Sequence, residues 1–290
     1  MSIIRLLYKK ISKKNKEEEA LQCIEHIDVE KISEGCSTSF VQMMDIHNQK
    51  ILEELSHLLH ETFNEDKVCN VLDLIGGQGQ NCSLIQKKGL EVQCTLIERS
   101  EALITSAKAV LGEGATYISR SSIQYLKVCP ETSFDVVLCM WPNSQAPIST
   151  LIQEATRVLK PAGKLLIVTS LKDTFPEIIR LYHKLLMKHS NQVRAIKVES
   201  RYITSARHLE RLCLKNNLKT KICKESRHII GFGTPRSVIN WLTKSKALSD
   251  YERLLPLTDK EVRKSLIELI GEAKVDWITH QFVYGIWEKI

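Results

Sequence analysis

The sequence predicts an α/β protein, a parallel sheet with helices on both faces. Three observations carry that expectation. Between residues 68 and 170 short apolar runs alternate with stretches whose apolar positions recur every three or four residues. Strict alternation of strand and helix requires right-handed crossovers, which set neighbouring strands parallel. The first apolar run also ends in "VLDLIGGQGQ" (71–80), an acid followed by a glycine cluster, and such a sheet binds ligands where its strands end.

The elements follow in order. From Ser39 to about Phe63 the positions Met43, Met44, Ile51, Leu52, Leu55, Leu58 and Leu59 mark one apolar stripe, which predicts a helix lying over the domain that follows. "VCNVLDLIG" (68–76) reads as a buried strand, "NCSLIQKKG" (81–89) as a short helix closed by Gly89, and "EVQCTLIE" (91–98) as a strand. "SEALITSAKAVLG" (100–112) is a helix with Ser100 as N-cap and Gly112 as its stop. "ATYISR" (115–120), "FDVVLCMW" (134–141) and "KLLIVTS" (164–170) are strands, and "ISTLIQEATRVL" (148–159) is the helix before the last of them. Beyond Thr169 the pattern loosens. It gives a helical stretch over 175–190, a helix in 203–217 capped by Thr204 or Ser205, and a strand over 218–226. A helical insertion over 231–274 follows, then the aromatic, β-branched strand "WITHQFVYGIWEK" (277–289).

Charge narrows the class. Six of the seven net positive charges, Arg5, Lys9, Lys10, Lys13, Lys14 and Lys16, sit in residues 1–16 without an acid among them, so the rest of the chain is near neutral. Such a body lacks the basic stripe of a strong phosphate-backbone binder, and no nucleic-acid partner is expected. The alternation of Ile3, Ile4, Leu6, Leu7 and Ile11 with lysines leaves open weak contact of residues 1–16 with an anionic membrane surface. We read residues 1–38 as a basic extension and 39–290 as one domain. Nine cysteines form no CxxC pair and several sit inside apolar runs, which points to reduced thiols in a cytoplasmic compartment. His57 and His60 lack supporting ligands, so no metal site is expected.

Gly77 and Gly79 stand in G-x-G spacing with Gly76 beside them, because a side chain there would hold a ligand off the backbone. The next strand ends in Glu98, about 20 residues further, where a carboxylate accepts from ribose hydroxyls. Two ligand classes fit. A dinucleotide enzyme needs a third small residue, for which only Cys82 is available; a sulfonium-cofactor enzyme needs a carboxylate just before the loop, which Asp73 supplies.

With these residues in view, the chain resembles the class I S-adenosylmethionine-dependent methyltransferases of the small-molecule type. "VLDLIGGQG" matches their V-L-D-x-G-x-G-x-G loop, with Ile75 where the first glycine often stands; "FDVVLCMW" matches their fourth strand, and "ATRVLKPAGKLLIVTS" their R-V-L-K-P-G-G turn and fifth strand. The likeness covers about residues 40–170 well. It implies a Rossmann-like, seven-stranded, mostly parallel sheet with an antiparallel last strand, and the helical insertion 231–274 over an acceptor pocket. It implies S-adenosylmethionine bound by Asp73, Gly76, Gly77, Gly79, Glu98, Ser122, Cys139 and Met140. Ser121 or Ser122 takes the place of the family's adenine-binding aspartate. Trp141 and Asn143 are then acceptor-side residues, and His280 is the candidate base. The C-terminal third further resembles histamine N-methyltransferase and its relatives, with juvenile-hormone-acid-type O-methyltransferases of similar plan. The expected reaction is methyl transfer to a small-molecule amine, carboxylate or hydroxyl. Rival readings are a methyltransferase-like binding module without turnover, a protein or RNA methyltransferase, and an NAD-dependent enzyme. Against RNA, the N/D-P-P-Y/F motif is replaced by "MWPN".

Overall fold

The computed structural model describes residues 38–61, 68–88, 91–142, 146–194, 203–244 and 248–290. The basic extension, Gly89 and Asn143 lie outside the described residues. Helix α1 (Thr38–His60) leads into β1 (Cys69–Asp73), α2 (Gln80–Gln86), β2 (Val92–Glu98), α3 (Glu101–Leu111) and β3 (Ala115–Ser119). Then come α4 (Ser122–Val128), β4 (Phe134–Met140), α5 (Ile148–Val158), β5 (Leu159–Ser170), α6 (Pro176–Lys188) and α7 (Ala206–Leu214). The remaining elements are β6 (Leu218–Gly231), α8 (Pro235–Lys244), α9 (Ser249–Leu254), α10 (Lys260–Glu272) and β7 (Trp277–Lys289).

The seven strands form one sheet in the order β3-β2-β1-β4-β5-β7-β6. β1 pairs in parallel with β2 and β4, β2 with β3, and β4 with β5, whereas β7 runs antiparallel to β5 with Ser170 opposite Phe282. The parallel part is what the alternation of runs predicts, and the Rossmann-like, seven-stranded arrangement with an antiparallel last strand is what the resemblance implies. The chain winds from β1 toward β2 on one side and returns to β4 on the other, so the ligand-binding crevice of such a sheet lies at the carboxyl ends of β1 and β4.

By contact the chain divides into two compact units. The larger holds residues 38–174, 203–228 and 280–290, and contains two apolar layers that follow the period-two alternation of the strands. On one face Leu72, Leu74, Val137, Cys139, Leu165, Ile167 and Val283 pack under α5 and α7. On the other Val71, Val136, Leu138, Met140, Leu166, Val168, Phe282 and Ile286 pack under α1 and α2. Within the described smaller unit, Tyr182 on α6 donates to the Tyr251 carbonyl, and Trp241 on α8 meets Phe175 and Phe232 edge-on.

Three local outcomes differ from the expectations. Helix α4 was not assigned from sequence, although Ser121 and Gln124 form a complete capping box at its start, an S-x-x-Q signal. β5 begins at Leu159 rather than 164, and its register against β4 shifts between the pairs Phe134–Leu159 and Val136–Lys164. Ala162 has φ 61, so the Pro-Ala-Gly segment is a bulge within the strand rather than a turn before it. β6 runs on to Gly231, past the predicted end. Ser100 and Ser205 cap α3 and α7, accepting from the Leu103 and His208 amides. Among the described residues no helix is long and apolar enough to cross a membrane.

Candidate functional site

The glycine loop starts where β1 ends. Asp73 shares a sheet face with Cys69 and Val71, and is fully buried on the side covered by α1 and α2. Its Oδ1 accepts from the Ile75 amide (3.1 Å) and its Oδ2 from Asn81 Nδ2 (3.1 Å). Burial, followed by the nearby Glu98 charge, works against ionisation more strongly than these hydrogen bonds favour it, and the carboxyl is pushed up to about 6. Asp73 therefore organises the loop from beneath.

Each glycine has its own reason. A Cβ on Gly76 would lie 2.0 Å from Leu96 Cγ in the core, and the Gly76 amide is tied to the Ile97 carbonyl at 2.9 Å. Gly77 adopts φ +51 and a Cβ on it would meet nothing within 4 Å, so the space above it is open to a ligand. Ile75 packs against the core beside β1, which is how the loop tolerates a side chain where a glycine is common. Gly76→Ala is expected to lower stability by about 1–3 kcal/mol through overpacking on Leu96. Chemical denaturation read against wild type checks this, and an unchanged midpoint would mean that Leu96 relaxes freely.

Glu98 closes the other side. Its Oε1 accepts from the amides of Arg99 (2.7 Å) and Ser100 (3.0 Å), and its Oε2 from Gly77 (3.1 Å). With two lone pairs on each oxygen, only Oε2 retains capacity, for one further donor. Glu98 is expected to accept from ribose hydroxyls, and the position left for that is on Oε2, since the other oxygen holds the β2 end and the α3 start together.

The remaining site residues are placed differently from one another. Ser122 is buried and its hydroxyl donates to the Leu74 carbonyl, tying α4 to the loop; the contact expected of it, accepting from an adenine amino group, uses the same oxygen's lone pairs. Ser121 serves as the α4 cap. Cys139 and Met140 point into opposite apolar layers and are buried, so their side chains are not open to a ligand. Burial first, then the Asp73 charge, pushes the Cys139 thiol up to about 12, which keeps it protonated. Trp141 follows β4 at φ 55, and its ring centroid lies 5.4 Å from His280 and 5.6 Å from Phe282. His280 is buried on β7, stacks on Phe282, and places Nε2 3.0 Å from Ser170 Oγ. The structure thus brings Trp141 and His280 together.

Reading the sequence missed Asn48, Asn81, Ser170 and Phe282. One signal was available: Asn48 falls on the apolar stripe of α1, three and four residues before Ile51 and Leu52.

The donor set fits S-adenosylmethionine better than a dinucleotide. Two carboxylates at the loop, Asp73 and Glu98, favour a ligand carrying sulfonium and ammonium charge and repel a pyrophosphate. Gly77 and Glu98 would hold it, and the buried Asp73 would act on it through its charge from beneath the loop.

A family model for the methyltransferase small domain matches residues 37–204. Over 144 residues the chain is 31% identical to the ribosomal RNA small subunit methyltransferase C of Photorhabdus laumondii subsp. laumondii, covering 46% of this chain and 41% of that protein. The chain therefore spans less than half the length of that relative. Among solved structures, the YcgJ protein from Bacillus subtilis shares the fold, with TM-score 0.53 and 16% identity over 82% of this chain and 98% of that one. A geranyl diphosphate methyltransferase solved with S-adenosylmethionine aligns at TM-score 0.48 and 11% identity, over 88% and 92% of the two chains.

Proposed function

The chain belongs to the methyltransferase small domain family, and we propose that it is an S-adenosylmethionine-dependent methyltransferase whose acceptor is a small molecule bearing an amine, carboxylate or hydroxyl. The observation that carries this reading is the enclosed aromatic group of Trp141, His280 and Phe282 beyond the carboxyl end of β4, with Ser170 beside it. Aromatic faces there suit a compact amine or a planar acceptor. The finer likeness to histamine N-methyltransferase, which rests on "YITS" and the aromatic last strand, belongs to the same reading.

The bound cofactor supplies a methyl group to in-line attack, and its thioether leaves without acid assistance. The chain's own work is to orient the acceptor lone pair, exclude water and accept a proton where the acceptor loses one. In this reading the partly buried Trp141 serves the first two tasks, with the buried Phe282 packed against it. His280, hydrogen-bonded to Ser170, is the candidate to hold the released proton.

A second reading, an RNA acceptor, is favoured by the likeness to the ribosomal RNA methyltransferase. The near-neutral body and "MWPN" speak against it. The two are separated by following labelled methyl from S-adenosylmethionine into pooled amines and carboxylic acids on one side, and into ribosomal RNA on the other. Label in the small-molecule pool is the expected result. Label confined to RNA overturns the proposal.

A further inference from the structure

Between the glycine loop and Trp141 runs a continuous line of buried amides. Trp141 Nε1 donates to Asn48 Oδ1 (2.9 Å), Asn48 Nδ2 donates to Asn81 Oδ1 (3.1 Å), and Asn81 Nδ2 donates to Asp73 Oδ2 (3.1 Å). Asp73, Asn81 and Asn48 are all at least nine-tenths buried. Four elements contribute, α1, α2 and the ends of β1 and β4, and the Asn48–Trp141 step joins residues 93 positions apart.

The polarity of this line is set at both ends. An indole nitrogen only donates, so Asn48 must turn its oxygen toward Trp141 and its amino group toward Asn81. Asn81 must then accept from Asn48 and donate to Asp73. Asp73, which also accepts from the Ile75 amide, terminates the line as an acceptor on both oxygens. No amide in the line can flip without placing two donors or two acceptors face to face. A change at Asp73 is therefore passed to the indole instead of being absorbed in between.

We propose that Asn48 is a positioning residue that couples the cofactor loop to the acceptor side, by reading Asp73 through Asn81 and setting the indole of Trp141 through its own carbonyl. This rests on the reading of the glycine loop as the S-adenosylmethionine site. Loading of that loop places cationic charge near Asp73, alters how strongly its Oδ2 accepts, and shifts Trp141 against His280 and Phe282. The acceptor site is then set only when the cofactor is in place.

The test uses the intrinsic fluorescence of the full chain and needs no knowledge of the acceptor. Calorimetry establishes S-adenosylmethionine binding, and emission is recorded at saturation. Wild type is expected to show a change in emission that Trp141→Phe removes, which assigns it among the four tryptophans. Asn48→Leu keeps the volume but removes both bonds. Asn48→Asp keeps the acceptor for Trp141 but turns an oxygen toward Asn81 Oδ1. Both variants are expected to bind cofactor within about tenfold of wild type and to lose most of the Trp141 signal, with circular dichroism confirming the fold. Full signal in either folded variant overturns the coupling, as does a wild type that binds cofactor with no Trp141 response. Absence of cofactor binding to wild type overturns instead the reading of the loop, and the coupling falls with it.

Discussion

Glu98→Ala lowers S-adenosylmethionine affinity by two to three orders of magnitude, read by calorimetric titration. Two effects combine. The variant loses the one open acceptor position on Oε2, and it releases the amides of Gly77, Arg99 and Ser100, which the carboxylate holds at 2.7–3.1 Å. Hydrogen bonds to a charged acceptor are worth about 1.5–3 kcal/mol each, and about 1.4 kcal/mol is a factor of ten in affinity. Glu98→Gln separates the contributions. Its oxygen can serve Arg99 and Ser100, but its amino group then faces the Gly77 N–H, donor against donor. It should keep the β2–α3 junction and still bind poorly. Wild-type affinity in Glu98→Gln would show that the Gly77–Glu98 contact is dispensable and would move the ribose site elsewhere.

Asp73→Asn produces the second large effect, on both pH dependence and binding. Desolvation raises the Asp73 carboxyl from 3.8 to about 6, so the folded state favours its protonated form more than the unfolded chain does. A raised pKa contributes stability that is fully present below the unfolded value and lost as pH rises through the folded one. The difference is about 3 kcal/mol, and it disappears between roughly pH 4 and 6. Wild type should lose stability over that interval by this route, and Asp73→Asn should flatten the slope. The ionised form is what a cationic ligand requires. Wild-type cofactor affinity should therefore fall as pH drops below about 6, by up to tenfold per unit, while the asparagine variant binds weakly at every pH. The same substitution puts an amino group opposite either Asn81 Nδ2 or the Ile75 N–H, a donor–donor contact that no flip along the line to Trp141 removes. Chemical denaturation and titration from pH 4.5 to 7.5 measure both slopes. A pH-independent affinity across pH 6 would mean that the Asp73 charge plays no part in binding.

The sheet was legible because its causes are local. An apolar run bounded by glycine, an N-cap serine three residues before its amide partner, and a strand that alternates faces are each decided within about ten residues. Ser100, Ser205 and the last strand from Trp277 to Lys289 appeared where those patterns put them. The loop was legible for the same reason, since Asp73, Gly76, Gly77 and Gly79 are neighbours in the chain and Glu98 ends the next strand. Helix α4 escaped although its capping box, Ser121 with Gln124, was present in the sequence.

Tertiary packing decided what those residues do. A buried carboxylate must satisfy its oxygens from whatever donors surround it, and the donors that reached Asp73 and Glu98 were set by how α2 and the loop settle on the sheet. Ser122 follows β3 in sequence, and the folded chain adds a bond from its hydroxyl to the Leu74 carbonyl. Asn48 with Trp141, and Ser170 with His280, lie 93 and 110 residues apart. Their meeting depends on the register of β5 against β7 and on where α1 crosses the sheet. By itself the sequence determined the order of strands and helices and the chemistry available at the glycine loop, because each is a matter of neighbouring residues. Only the folded chain decided which oxygens remain open and which side chains share a wall, because buried polar groups take their partners from across the sheet and not along the chain.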